Sequence, residues 1–342
     1  MAWKNWTSWR WAIRHRLSTE RPPGACRDGA ATGGAGVCAR LAPAYSRLCW
    51  LLLVWCLACR PAAAAGPHAM VRAPVVDVYT IDLNSSKTAY SQNHISTLLT
   101  AALDASTDKY GPYRLQTSPI RMERDRLLTE MRQGALVNLS AQVTSAEWER
   151  DLLPIRIPID KGISGYRIAL IDGRRQADFS ALRTLAQLKA VPMGAGRQWS
   201  STAVFQQAGF NVVPGNSTAG LHGMLAAGRF RYFPRSVDEA VFERDEYVGG
   251  FPALDIESSM TVYFPLPRYF FVAPSQPRLA QRLEYGLNRL IADGRFDQIF
   301  HQFYDGLIER IGLRHRRVFK IDNPTLSPAT PLDRKSYWYD PV

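Results

Sequence analysis

The sequence predicts an α/β protein with mainly parallel sheets. β-rich runs alternate with runs of helical period from residue 74 to residue 303, the pattern of parallel strands joined by helices. Glycine or proline punctuates most junctions. Hydrophobic residues make up 46% and charged residues 21% of the 342 residues. That balance is ordinary for a globular chain and excludes wholesale disorder, a collagen-like repeat and a polytopic membrane protein.

The elements follow in order. Residues 74–81 (PVVDVYTI) are β-rich and read as a first buried strand. Residues 94–105 place Ile95, Leu98, Leu99, Ala102 and Leu103 at helical spacing. Tyr110-Gly111-Pro112 makes a turn into a second strand, 113–120. A helix over 122–132 stops at Gly134, and 135–140 is a third short strand. Residues 145–150 form a helical turn, and 155–158 and 164–171 are extended, with Gly162 and Gly165 between them.

A second unit repeats the alternation. Helices are expected over 179–189, 201–208, 218–227 and 237–244, and strands over 190–194, 210–213 and 230–234. Residues 260–265 and 269–273 are extended again. Leu279, Leu283, Leu287, Leu290 and Ile291 stripe a long helix over 279–292, which Asp293-Gly294 breaks before a last helix over 296–303. The tail from Asn323 holds Pro324, Pro328, Pro331 and Pro341 and reads as an extended strap over the first unit. No internal repeat is legible.

The first 65 residues differ from the body. The net charge is +12, but residues 1–65 hold nine basic and two acidic groups, leaving +5 for the rest. The body shows no basic stripe, so no nucleic-acid partner is expected. All five cysteines (Cys26, Cys38, Cys49, Cys56, Cys59) precede residue 60. A Cys-ligated metal site, a thiol nucleophile and a disulfide framework are thereby excluded from the body. Residues 48–58 are an apolar run preceded by Arg40 and Arg47 and followed by Ala62–Gly66, the three parts of a secretory signal. Arg60 ends the run short of the roughly 20 residues that a membrane span needs. Cleavage is expected after Ala65, with a lipoprotein at Cys59 as the minor alternative. Residues 1–36 lack apolar periodicity and read as a start set too far upstream, with Val37 an example of a later one.

Catalytic constellations are missing. There is no Gly-x-x-x-x-Gly-Lys-Ser/Thr loop and no Gly-x-Ser-x-Gly elbow. Gly194-Ala195-Gly196 lacks the third glycine of a dinucleotide fingerprint. The body histidines (His68, His94, His222, His301, His315) are isolated, with no pair at metal-ligand spacing. No cofactor and no metal are expected.

The stretch 269–306, with Asp293-Gly294-Arg295-Phe296 and residues 299–303, resembles the C-terminal signature of the periplasmic solute-binding proteins of polar amino acid ABC transporters. Glu130-Met131-Arg132-Gln133-Gly134 and the loop 144–150 resemble two earlier segments of that family in the right order. The resemblance spans about residues 74–310. It implies a two-lobed periplasmic-binding-protein-like fold of type II, each lobe a mainly parallel sheet flanked by helices, joined by two crossing strands. Residues 74–163 and 268–322 would form lobe 1, residues 166–264 lobe 2 and residues 323–342 the tail.

The resemblance also implies a ligand site. Its carboxylate-clamping arginine falls on Arg150, which suits the bidentate chemistry of a guanidinium. Its hydroxyl donors fall on Thr144 and Ser145, and its second-lobe glycine loop on Gly194 and Gly196 before Ser200. Exposed N–H groups at such a helix start attract an anion. Tyr79, on the first strand, is a further candidate. The family's ammonium-holding acid is replaced near Ser236, beside Arg235. Either Arg235 faces the cleft and favours a ligand without an ammonium, or it pairs with Asp238 or Glu239, either of which is also placed to replace the missing acid.

The expected function is capture of a small polar or anionic solute by a periplasmic, monomeric binding protein. An ABC permease or a membrane sensor would receive it. A sensory module is the alternative reading. A dehydratase-type enzyme would need Glu147 or Glu149 as its acid/base.

Overall fold

The computed structural model describes residues 75–82 and 88–341. The leader expectations, including the signal, the cleavage site and Cys59, lie outside the described residues. Among those described, no helix is long and apolar enough to cross a membrane.

The first part of the chain folds as β1 (Asp77–Asp82), α1 (Ala89–Asp104), α2 (Thr107–Tyr110), β2 (Tyr113–Thr117), α3 (Arg124–Gln133), β3 (Leu139–Val143), α4 (Ala146–Asp151) and β4 (Leu153–Ile155). The middle part is β5 (Tyr166–Asp172), α5 (Gln176–Ser180), α6 (Leu185–Ala190), β6 (Met193–Gly196), α7 (Ser200–Gln207), β7 (Val212–Gly215), α8 (Thr218–Ala226), β8 (Tyr232–Arg235), α9 (Val237–Tyr247), β9 (Leu254–Ile256) and β10 (Met260–Tyr263). The chain ends with β11 (Arg268–Val272), α10 (Pro277–Ala292), α11 (Arg295–Arg310) and β12 (Arg317–Lys320).

Boundaries move where caps act. α1 begins five residues before the expected start because Thr88 accepts a hydrogen bond from the Ser91 N–H at 3.1 Å. The helix expected over 179–189 is two, because Thr184 and Gln187 form a capping box that starts α6 afresh. β9 and β12 were not anticipated.

The strands form two sheets. The first has the order β2-β1-β3-β11-β4. The second contains the same order, β7-β6-β8-β5-β9, extended beyond β5 by β10 and β12. In each, three parallel strands meet one antiparallel strand, β11 or β5. Each antiparallel strand is carried by the segment arriving from the other sheet. This is the two-lobed type II arrangement, and its repeat lies in strand order rather than in sequence.

Both faces of each sheet are buried, as parallel sheets require. In β11, Phe270 and Val272 pack with Leu98 and Leu99 of α1 and Leu283 and Leu287 of α10. The alternate residues Tyr269 and Phe271 pack with Leu127 and Leu128 of α3 and Trp148 of α4. In β5, Ile168 and Leu170 meet α8, α9 and α11, whereas Ala169 and Ile171 meet α6 and α7.

One expected assignment is corrected. Residues 268–322 do not all return to the first lobe. α11 buries Phe300, Tyr304 and Ile308 with Leu221 and Val241 of the second lobe, and β12 pairs with β10. The reason is that α11 runs past residue 303 to Arg310, which carries the chain to the open edge at β10.

The two crossings touch. The Ile159 N–H donates to Arg268 O at 2.9 Å, and the Phe264 N–H to Gly165 O at 3.3 Å. The tail lies over this junction instead of over the first lobe alone. The Tyr339 N–H donates to Lys161 O at 2.7 Å, and Asn323 Nδ2 to Pro265 O at 2.8 Å. Tyr337 joins the first core and Tyr339 the second.

Candidate functional site

The carboxyl ends of β3, β6, β7 and β8 and the first turns of α3, α7, α8 and α9 surround a cavity of about 790 Å³. Open parallel sheets place ligands at this end of their strands, and the volume suits a small molecule. Ser164 and Arg167 line it from the first crossing, and Leu266 and Arg268 from the second. Residues of both sheets and both crossings therefore share one space.

The lining is rich in arginine: Arg121, Arg124, Arg167, Arg197, Arg235 and Arg268 stand against Glu123, Asp125, Asp238 and Glu239. The deep charges are committed to one another. Arg235, 1% exposed, donates from Nε to both oxygens of Glu243 at 3.0 and 2.9 Å and pairs with Glu239 at 3.0 Å. Its guanidinium lies 4.2 Å from the centre of the Trp199 ring. Glu243 also meets His222 Nε2 at 3.1 Å. Asp238 accepts from Ser236 Oγ at 2.7 Å and from Thr88 Oγ1 at 3.1 Å. The second of these bonds joins the two lobes.

Two arginines are held differently. Arg167 donates from Nη1 to Ser164 O at 3.0 Å, while its Nε is buried without an acceptor. Burial pushes its pKa down to about 10, partly opposed by Glu239. Arg124 donates to Gln142 Oε1 and to Val143 O, both at 2.8 Å, and stacks 4.7 Å from the centre of the Trp148 ring. Burial pushes it down to about 10 as well, with Asp125 and Glu147 opposing.

The expected site residues divide. Gly196, Ser200 and Arg235 line the cavity. The pairing alternative for Arg235 is the one the structure shows, with Glu243 added to Glu239. Gly194 packs instead, since a Cβ there would lie 2.2 Å from the Phe230 ring. Tyr79 is buried in the first core, donating to Leu279 O at 2.9 Å. Thr144 donates to Glu149 Oε1 at 2.6 Å, and Ser145 caps α4 by accepting from the Trp148 N–H at 3.4 Å. Glu149 is taken by Thr144 and Arg156, and Glu147 approaches Arg132 at 3.2 Å.

Arg150 is a correction. Its side chain is 67% exposed, bonds Asp151 Oδ1 at 2.8 Å and does not line the cavity. Trp148 must face the core, and a residue two positions on points about 200° around a helix. Arg150→Ala is therefore expected to change stability by no more than about 0.5 kcal/mol and to leave ligand affinity at the wild-type value. Urea denaturation and calorimetry check this.

Sequence reasoning missed Arg124, Arg167 and Arg268. A signal for the first existed. Arg124 shares the buried stripe of α3 with Leu127, Leu128 and Met131, at i+3, i+4 and i+7. It is also a cation at a helix start, where the dipole favours anions.

No family model matches the chain, and no curated protein matches it by sequence. Solved structures do. The chain is similar to the VFT2 domain of Bordetella pertussis BvgS, in a double mutant, with 16% identity, 67% of this chain and 93% of that one covered, and a TM-score of 0.49. It is similar to a histidine kinase sensor domain with similarity to periplasmic binding proteins, with 15% identity, 67% and 96% covered, and a TM-score of 0.46. It is also similar to an ancestral arginine-binding protein bound to arginine, with 15% identity, 68% and 99% covered, and a TM-score of 0.44.

Proposed function

We propose that the chain is a periplasmic solute-binding protein. It captures a small polar or anionic molecule between its lobes and passes it to an ABC permease or a membrane sensor. One observation carries the reading: a single arginine-rich cavity is lined by strand ends of both sheets and by both crossings. A solute in that position touches both lobes at once, so its binding energy favours the arrangement in which they approach. Guanidinium groups and helix starts supply donors for carboxylate, phosphate or carbonyl oxygens.

A thermal-shift screen of the purified protein against amino acids, dicarboxylates, phosphate esters, sugars and short peptides tests this. A ligand at a hundred times its Kd adds about 2.7 kcal/mol, so at least one class is expected to raise the melting temperature by several degrees. No shift with any class would remove the solute-binding reading.

A further inference from the structure

Arg124 differs from Arg235, Arg282 and Arg316 in how its charge is met. Arg235 has Glu239 and Glu243, Arg282 has Asp77, and Arg316 has Glu257. Arg124 is bonded only to an amide oxygen and a backbone carbonyl, and it stacks on Trp148. Those contacts fix the plane of the guanidinium without neutralising it. They hold a fork at the cavity wall that still lacks an anion.

The opposite wall carries a matching feature. Arg197 lines the cavity beside the start of α7, where no side chain caps the helix. Arg167, 5% exposed, lines the same space with an Nε that has no acceptor. The two acids of that wall are already engaged. Both oxygens of Asp238 accept hydroxyl hydrogen bonds, and Glu239 is held by Arg235 and the Ser236 N–H. Glu123 and Asp125, exposed at the start of α3, line the other wall beside Arg124.

We propose that the captured solute is a small dianion without an ammonium group. One of its acidic groups, carboxylate or phosphate, seats on Arg124, and the other meets Arg197 and the first turn of α7. The assignment rests on the solute-binding reading and specifies its ligand class. Two acidic groups would offset the excess of two arginines over acids in the lining. One of them would also supply Arg124 with the carboxylate or phosphate partner that its hydrogen bonds to Gln142 and Val143 do not. Because the two groups bind opposite walls, length and charge at both ends would set specificity.

Calorimetry on the purified protein with succinate, glutarate, phosphonoacetate, arginine and glutamine tests this. At least one of the three dianions is expected to bind, and more tightly than arginine or glutamine. Succinate or glutarate binding alone would identify a dicarboxylate site, and phosphonoacetate alone a site that seats a phosphate-like group at one end. Arg124→Gln is expected to weaken the bound dianion by about ten- to a hundredfold, the range for losing a charge-assisted fork. Arg124→Lys should fall between, since it keeps the charge without the planar fork. Circular dichroism of both variants should match the wild type. Unchanged affinity in folded Arg124→Gln overturns the assignment. So does binding of arginine or glutamine, or of a sugar or peptide from the wider screen, with all three dianions ignored, and solute binding itself then stands. If nothing in either panel binds, both readings fall.

Discussion

Arg235→Ala is expected to destabilise the protein by about 3–5 kcal/mol, the usual cost of removing one partner from a buried ion pair. The guanidinium is 1% exposed and answers two carboxylates, Glu239 and Glu243, the latter 7% exposed. Its loss leaves Glu243 buried with His222 Nε2, at 3.1 Å, as its remaining side-chain partner. It also opens a void beneath Trp199 and Phe233, on which the guanidinium stacks. Urea denaturation measures the loss. Arg235→Met with Glu243→Leu should recover part of it, since an apolar pair removes the stranded charge. A loss below about 1 kcal/mol would show that water reaches this cluster. The residue that sequence reasoning places in the ligand site thus acts first through the fold.

Gly165→Ala is expected to cost about 3 kcal/mol, the upper part of the usual range for overpacking. A Cβ at Gly165 would lie 2.2 Å from the carbonyl oxygen of Phe264. That contact is backbone against backbone, where the two crossings meet, so no side chain can turn aside. The Phe264 N–H bond to Gly165 O must lengthen as the crossings part. Gly223→Ala is the control. It lies within α8 with nothing within 4 Å of its added Cβ, and should instead gain about 0.5–1 kcal/mol from helix propensity. Equal stability for Gly165→Ala and wild type would mean that the crossings are loosely held.

The alternation of strands and helices was legible because burial imposes period on sequence. The stripe Leu279, Leu283, Leu287, Leu290 became the buried face of α10. The run 269–273 became a strand buried on both sides. Strand order was not legible, because an exchanged strand has the same residues as one that stays home. β12 escaped for a related reason: Arg317 and Lys320 hide a short strand that owes its place to β10. The site divided along similar lines. Gly196 and Ser200 follow from a strand leading into a helix, which is local. Arg150 failed because helical phase outranks motif spacing: Trp148 took the core face and turned Arg150 to solvent. Arg124 sat in plain view as a cation on an apolar stripe.

The exchange of β5 and β11 between the sheets also governs how the chain reaches its native state. β11 pairs Val272 with Leu139 and Arg268 with Val143, partners separated by roughly 130 residues. Until the whole second lobe has been made, β3 and β4 flank an empty slot, each with an unpaired edge. The second lobe, in turn, draws β5 directly from the end of the first. The first lobe is therefore not an independent folding unit, and closing that long loop, rather than forming any local element, is expected to set the slow step. During that interval the bare edges of β3 and β4 are open to pairing with other chains, so any partner that shields them early would raise the yield of folded protein.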